Sequence, residues 1–139
     1  CTSACIGGDI PQFLLANDTD AAYALARRLK EMFPGRFYIE LQDHGQEEDK
    51  TSIEGLLKLH NETGIPIVAT NDAHYVDKDD AKMQQVLICI QTNHTVGEDT
   101  GLEFGTQEFY LKSEEEMLEA FPQCPEAVEN TAKIAEIAA

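Results

Sequence analysis

The pattern of this chain predicts an α/β fold, with mostly parallel strands and flanking helices. Three observations carry that reading. Ile65-Pro66-Ile67-Val68-Ala69 is a short, nearly unbroken apolar run, as expected of a parallel strand covered on both faces. Phe37 to Gln42 alternates apolar and polar residues, and a helical pattern lies between the two segments. Strand, helix and strand at this spacing make a βαβ unit with a right-handed crossover. At 139 residues with 42% hydrophobic content, the chain is one domain or part of one, with enough apolar surface for a core.

The elements follow in order. Cys1 to Asp9 is small and contains the turn Gly7-Gly8, a strand tip running into a loop. Ile10 to Ala16 is a short helix with Pro11 in its first turn. Asp18 to Phe33 is a helix capped by Asp18 or Asp20, with Ala22, Leu25, Ala26, Leu29, Met32 and Phe33 on one stripe, stopped by Pro34-Gly35. In the strand 37–42, Phe37, Ile39 and Leu41 share one face while Tyr38, Glu40 and Gln42 share the other. Gln46 to Lys50 reads as a charged connection. Thr51 to Thr63 is a helix that buries Ile53, Leu56, Leu57 and His60 and ends at Gly64. After the strand 65–70, residues 79–91 form a helix with Val86, Leu87 and Ile90 inward, and residues 92–105 form a loop. Glu108 to Lys112 is a short strand, Ser113 to Glu116 a capping box, and Pro125 opens a last amphipathic helix.

Charge and cysteine usage narrow the function. Ten Lys and Arg stand against 26 Asp and Glu, a net charge of −16. Such a surface repels phosphate backbones, which argues against a free-standing nucleic-acid binder. An acidic, metal-loaded module inside a larger nucleic-acid enzyme is compatible with it. Cys1, Cys5, Cys89 and Cys124 form no Cys-x-x-Cys pair, so the expectation is reduced thiols and a cytoplasmic location. The longest apolar run, Val86 to Ile90, is too short to cross a bilayer, so no membrane partner is expected. The chain starts at Cys1 rather than Met and stops at Ala139 within a helical pattern, which reads as a segment of something longer.

The candidate chemistry gathers at strand tips. Asp72 and His74 follow the apolar strand directly. Two residues apart on an extended chain, their side chains point the same way, a ready pair of ligands for Zn, Mn or Fe. The competing reading makes Asp72 a helix cap and His74 a packed loop residue. Cys5, just before Gly7-Gly8, is a third candidate ligand. His44 follows the other strand tip and can line the same cavity or serve as a loop histidine bonded to backbone. Glu40 and Gln42 are candidate lining residues. Cys89 reads as core, Cys124 as a surface or loop thiol, and His60 and His94 as structural or solvated. A calcium loop at Asp77 fails, because Lys82 and Ile88 occupy the positions that need Gly and Glu.

Five segments, taken together, are familiar: Thr2 to Pro11, Phe37 to Gly45, Val68 to Tyr75, Val86 to Thr92 and Glu108 to Ser113. In this order they closely resemble the polymerase and histidinol phosphatase (PHP) domain of bacterial DNA polymerase III alpha subunits. The resemblance runs from end to end and corresponds to the C-terminal half of that domain, residues 1–139, with residues 106–139 a helical segment leading towards the polymerase palm and thumb. It implies a partial, distorted β/α (TIM-like) barrel of PHP type. It implies a cluster of divalent metal ions at the barrel mouth in members that keep the full ligand set, with Cys5 in Cys-x-Gly-Gly and Asp72 and His74 in Asp-x-His as ligands, and 3′–5′ exonuclease proofreading in some of those members. The family's early His-x-His motif is absent here, so weak or no metal binding and no nuclease activity are expected of this segment alone. The implied partners are the rest of the polymerase chain, DNA through the parent, the sliding clamp and an exonuclease subunit. The alternatives are a non-catalytic module that braces the polymerase and, lower, a phosphoesterase of the histidinol phosphatase branch.

Overall fold

Two parallel strands form where the apolar runs lie, and everything that positions the candidate site is built on them. In the computed structural model, which describes residues 1–98 and 105–139, β1 (Ile39–Leu41) pairs with β2 (Ile67–Ala69) in the register Ile39↔Ile67, Glu40↔Val68 and Leu41↔Ala69. The ladder extends one bond beyond each end: Ile39 N–H donates to Pro66 O (2.8 Å) and Thr70 N–H to Leu41 O (3.0 Å). Residues 1–3 run beside β1 through a parallel bridge, Thr2↔Tyr38, with Ser3 N–H donating to Tyr38 O and Tyr38 N–H to Cys1 O. The opening segment is therefore a strand tip, as its sequence indicated. This small parallel sheet with flanking helices is an α/β arrangement.

The alternation read in residues 37–42 holds. Phe37, Ile39 and Leu41 are fully buried, whereas Glu40 and Gln42 on the other face are half-buried. All of β2 is buried, which explains its unbroken apolar character.

Helix α1 (Asp9–Leu15) follows a tight turn in which Gly8 N–H donates to Cys5 O (2.8 Å). It ends with Asn17 left-handed and Asp18 N–H bonded to Phe13 O, a satisfied C-terminus. Helix α2 (Thr19–Met32) is capped by the Asp18 carboxylate, which accepts from Ala21 N–H, and it packs on α1. Its inner stripe is Ala22, Tyr23 and Ala26; Met32 and Phe33, expected inward, are exposed.

Helix α3 (Glu47–Thr63) packs on α1 and β1 and closes with Gly64 at φ +64°. It starts four residues earlier than expected, and residues 47–50 are its first turn rather than a connection. The cause is Asp49, a buried carboxylate that accepts Gln46 N–H (3.3 Å) and His44 N–H (2.9 Å). Acidic residues are also favoured there by the helix dipole. Leu59 joins Ile53 and Leu56 inside, while Leu57 and His60 are only half-buried.

Helix α4 (Ala81–Thr92) buries Ile88 and Cys89; Leu87 and Ile90, expected inward, are exposed. Five consecutive apolar residues, 86–90, set no period, so sequence alone could not choose the face. Residues 93–98 carry no helix or strand, in keeping with the predicted loop; its positions 99–104 lie outside the described residues. The expected strand 108–112 reduces to one parallel bridge, Tyr75↔Tyr110. Helices α5 (Glu114–Ala120) and α6 (Pro125–Ala138) follow, α5 opened by the Ser113 capping box and α6 by Pro125. Helix α6 covers β2, and buried Asn130 donates to Ile67 O (2.7 Å). Cys124, read as a surface or loop thiol, does lie outside regular structure as the residue that precedes α6, but it is buried in the core rather than at the surface. No helix among the described residues is long and apolar enough to cross a membrane.

Two measurements test these local accounts. A Cβ on Gly8 would meet Ser3 O at 2.5 Å and Cys5 O at 3.1 Å, whereas one on Gly64 meets open space at an unfavourable positive φ. Gly64→Ala should cost about 1–2 kcal/mol, and Gly8→Ala more than that, up to about 3 kcal/mol from overpacking, in denaturant melts. Tyr110 donates to Glu116 (2.7 Å). That hydrogen bond first, then desolvation and the Glu116 charge, pushes the phenol up to about 12. The fold favours the protonated phenol, so this contribution is complete below the ordinary value of 10.0 and is lost as pH rises through about 12. Glu116→Ala should bring the midpoint back towards 10.0, read by NMR of labelled tyrosine.

Candidate metal-ligand pair at a strand tip

The last ladder bond of β2 is made by Thr70, and the chain then turns. Asp72 adopts φ +45°, a left-handed conformation uncommon for a residue with a side chain. The expected extended geometry for Asp72-x-His74 is therefore not what brings the pair together. The kink does: Asp72 Oδ1 lies 3.5 Å from His74 Nε2, with both side chains more than a third exposed. The helix-cap alternative for Asp72 is not realised, since Asp77 precedes the next helical turn and its N–H bonds Asp80.

The kink is held by its neighbour. Asn71 Nδ2 donates to Glu108 O (2.8 Å) and Tyr110 O (2.6 Å), and Asn71 Oδ1 accepts from Lys112 Nζ (3.1 Å). The backbone oxygen of Asn71 accepts from His44 Nε2 (3.0 Å). A carbonyl only accepts, so His44 carries its proton on Nε2. Residues 108–112 form a strap across the tip. His74 N–H donates to Phe109 O (2.8 Å), and Leu111 N–H lies 3.2 Å from both Tyr75 O and Val76 O. Lys112, its side chain only 7% exposed, also bonds Glu108 O and pairs with the Glu108 carboxylate, and its ammonium sits 4.8 Å from the Tyr110 ring centroid. Lys78 pairs with Glu108 as well, and these lysines hold the Glu108 carboxyl below its usual range, the Lys78 bond most of all.

His44 is therefore a buried structural residue close to the pair, rather than an open lining group. Its ring stacks on Phe109 at 4.0 Å between centroids and 11° between planes, Asp49 Oδ2 lies 3.7 Å from Nδ1, and the same Phe109 ring meets His74 edge-on at 5.9 Å. Sequence reasoning missed Asn71, Asp49, Phe109 and Lys112 as parts of this arrangement.

Cys5 lies in the turn before α1, where its backbone oxygen accepts from Gly8 N–H. It lines a narrow cleft with Glu40, Gln42, Asp49 and Ser52, whose volume of about 10 Å³ is at the threshold for a single water. Glu40 Oε1 there accepts from Thr70 Oγ1 (2.6 Å) and Gln42 Nε2 (3.0 Å). Among the described residues, no three His, Cys, Asp or Glu side chains gather into a group that could hold a metal ion. A carboxylate and an imidazole suit a divalent ion as two of its ligands, but two donors do not complete a coordination sphere. No catalytic step through a metal follows from this donor set alone.

Comparison with known proteins fits these features. Residues 1–44 match the family model of the PHP domain. The chain is 46% identical over 136 residues to the DNA polymerase III subunit alpha of Borreliella burgdorferi, covering 98% of this chain and 12% of that protein. It is 41% identical over 137 residues to the subunit of the same name from Treponema pallidum, again 98% and 12%, and 39% identical over 136 residues to that of Thermus aquaticus, 96% and 11%. The chain thus spans about an eighth of the length of the relatives it matches. It is, along nearly its whole length, a relative of the bacterial DNA polymerase III alpha subunits, and over residues 1–44 of the PHP domain family.

Proposed function

We propose that this chain is one segment of a replicative DNA-directed DNA polymerase, and that residues 1–139 form the C-terminal part of its PHP module, a partial β/α barrel. In this reading, residues 106–139 lead towards the polymerase palm and thumb. The similarity to DNA polymerase III alpha subunits over 98% of the chain is the observation that carries the reading. Asp72, His74 and Cys5 would contribute ligands to a divalent-metal site, Zn, Mn or Fe, completed by groups beyond these residues. A bound ion would supply Lewis-acid polarisation of a phosphodiester and an activated water, the chemistry of 3′–5′ exonuclease proofreading. The chain's own part is to hold a carboxylate and an imidazole at one exposed tip, backed by a rigid strap. DNA, the sliding clamp and an exonuclease subunit are the partners this reading assigns to the whole polymerase, in the cytoplasm.

A second reading has a specific observation in its favour. Since no three donors gather among the described residues, the module can serve as a non-catalytic brace with a vestigial site. One substitution in the full-length polypeptide that carries this segment separates the two. Asp72→Asn should leave primer extension intact and lower metal-dependent 3′–5′ hydrolysis at least about tenfold, by the measure of lost metal-site groups. Unchanged hydrolysis would establish the brace, and a full-length polypeptide that extends no primer would overturn the polymerase reading itself.

A further inference from the structure

We propose that Asn71 is the positioning residue of the Asp72–His74 pair, acting through the strap 108–112; this rests on the metal reading of that pair. The residue directly before the kink commits every polar group of its side chain, and its own carbonyl, to partners 27 to 41 positions away. Two N–H bonds reach strap carbonyls, Glu108 O and Tyr110 O. The amide oxygen takes the Lys112 ammonium, and the backbone oxygen takes His44 Nε2. A left-handed aspartate persists only when its surroundings over-determine it, and here the anchor adjoins it on one side. On the other side, His74 is tied by its N–H to Phe109 O, while the Phe109 ring lies between His44 and His74. The pair is thus clamped from both ends, and its 3.5 Å separation is set by groups that would never touch the ion.

Alanine at 71 removes three side-chain bonds at once and leaves Glu108 O, Tyr110 O and Lys112 without them. Groups that orient metal ligands typically cost 10–100-fold in metal affinity when removed. The test is Mn²⁺ titration of the full-length polypeptide, followed by the EPR signal of free Mn²⁺, with thermal melting alongside. Asp72→Asn should remove or weaken the Mn²⁺ site. Asn71→Ala should weaken the same site by about tenfold or more. On the Asp72→Asn background, Asn71→Ala should weaken Mn²⁺ binding by less than it does in the unmutated polypeptide while still lowering the melting temperature, because part of the anchor's action on the ion runs through Asp72. A purely structural role would lower the melting temperature and leave the Mn²⁺ affinity of the single variant unchanged, which overturns the inference while the metal reading stands. Binding that Asp72→Asn leaves unchanged overturns both. Lys112→Met, which takes away one of the three contacts, gives the same comparison with a smaller loss if Asn71→Ala does not fold.

Discussion

A parallel ladder must end, and the groups freed at its end must be satisfied; the arrangement of this molecule around its candidate site follows from that obligation. Thr70 N–H makes the last β1–β2 bond. Buried backbone groups beyond it would each cost about 1–3 kcal/mol if left unpaired. Asn71 takes over as a surrogate for backbone, offering two donors and an acceptor where a strand would have offered one of each. The strap 108–112 is thereby joined to the tip through both the Asn71 side chain and a short stretch of backbone bonding to residues 74–76, without becoming a regular strand.

The same obligation explains why the site lies on polar groups inside an apolar frame. Phe37, Ile39, Leu41, Ile65 and Ile67 close the core under the sheet, joined by Ile10 and Leu59 from the helices and by Phe121 just after α5. That core fixes β1 and β2 rigidly. On the opposite face Glu40, Gln42 and Thr70 satisfy one another. His44 and Asp49 then join the start of α3 to the tip: the carboxylate caps the helix and faces the imidazole, and the imidazole holds Asn71 O. Helix start and strand tip are thus joined in one polar network that runs from Asp49 through His44 to Asn71 O.

How much of this was legible follows from the range of each interaction. The parallel strands, the Asp18 cap, the Gly64 stop and the Ser113 capping box are written in residues within a few positions of one another, and periodicity or capping chemistry reveals them. The Asp-x-His pair was legible as chemistry but not as geometry, because nothing in Asn71-Asp72-Ala73 announces a left-handed aspartate. The start of α3 was misplaced because an Asp three residues inside a charged run looks like solvated surface until its buried backbone partners are known. Cys124 was misread for the reverse reason: between Pro122 and Pro125 it reads as loop, and only the docking of α5 and α6 places it in the core. The strap was misread as a strand because Phe109 and Leu111 alternate with polar positions, whereas its bonds are divided between the backbone of residues 74–76 and the side chain of Asn71, 37 to 41 residues away.

The order of the paired segments places Cys5 and the Asp72–His74 pair on either side of β1. Cys5 belongs to the turn leaving the edge strand, and the pair to the turn leaving β2, with β1 between them. In a parallel sheet all three turns emerge at the same end, so donors from alternate strands approach only as far as the sheet's curvature brings its tips together. Curvature is a property of the whole sheet rather than of any one strand. The local clamp at Asn71 needs no such curvature, because its side-chain partners all lie in the strap beside the tip of β2. The contact of Asp72 with His74 is met within these residues, by the bonds that Asn71 and residues 108–112 make across the tip.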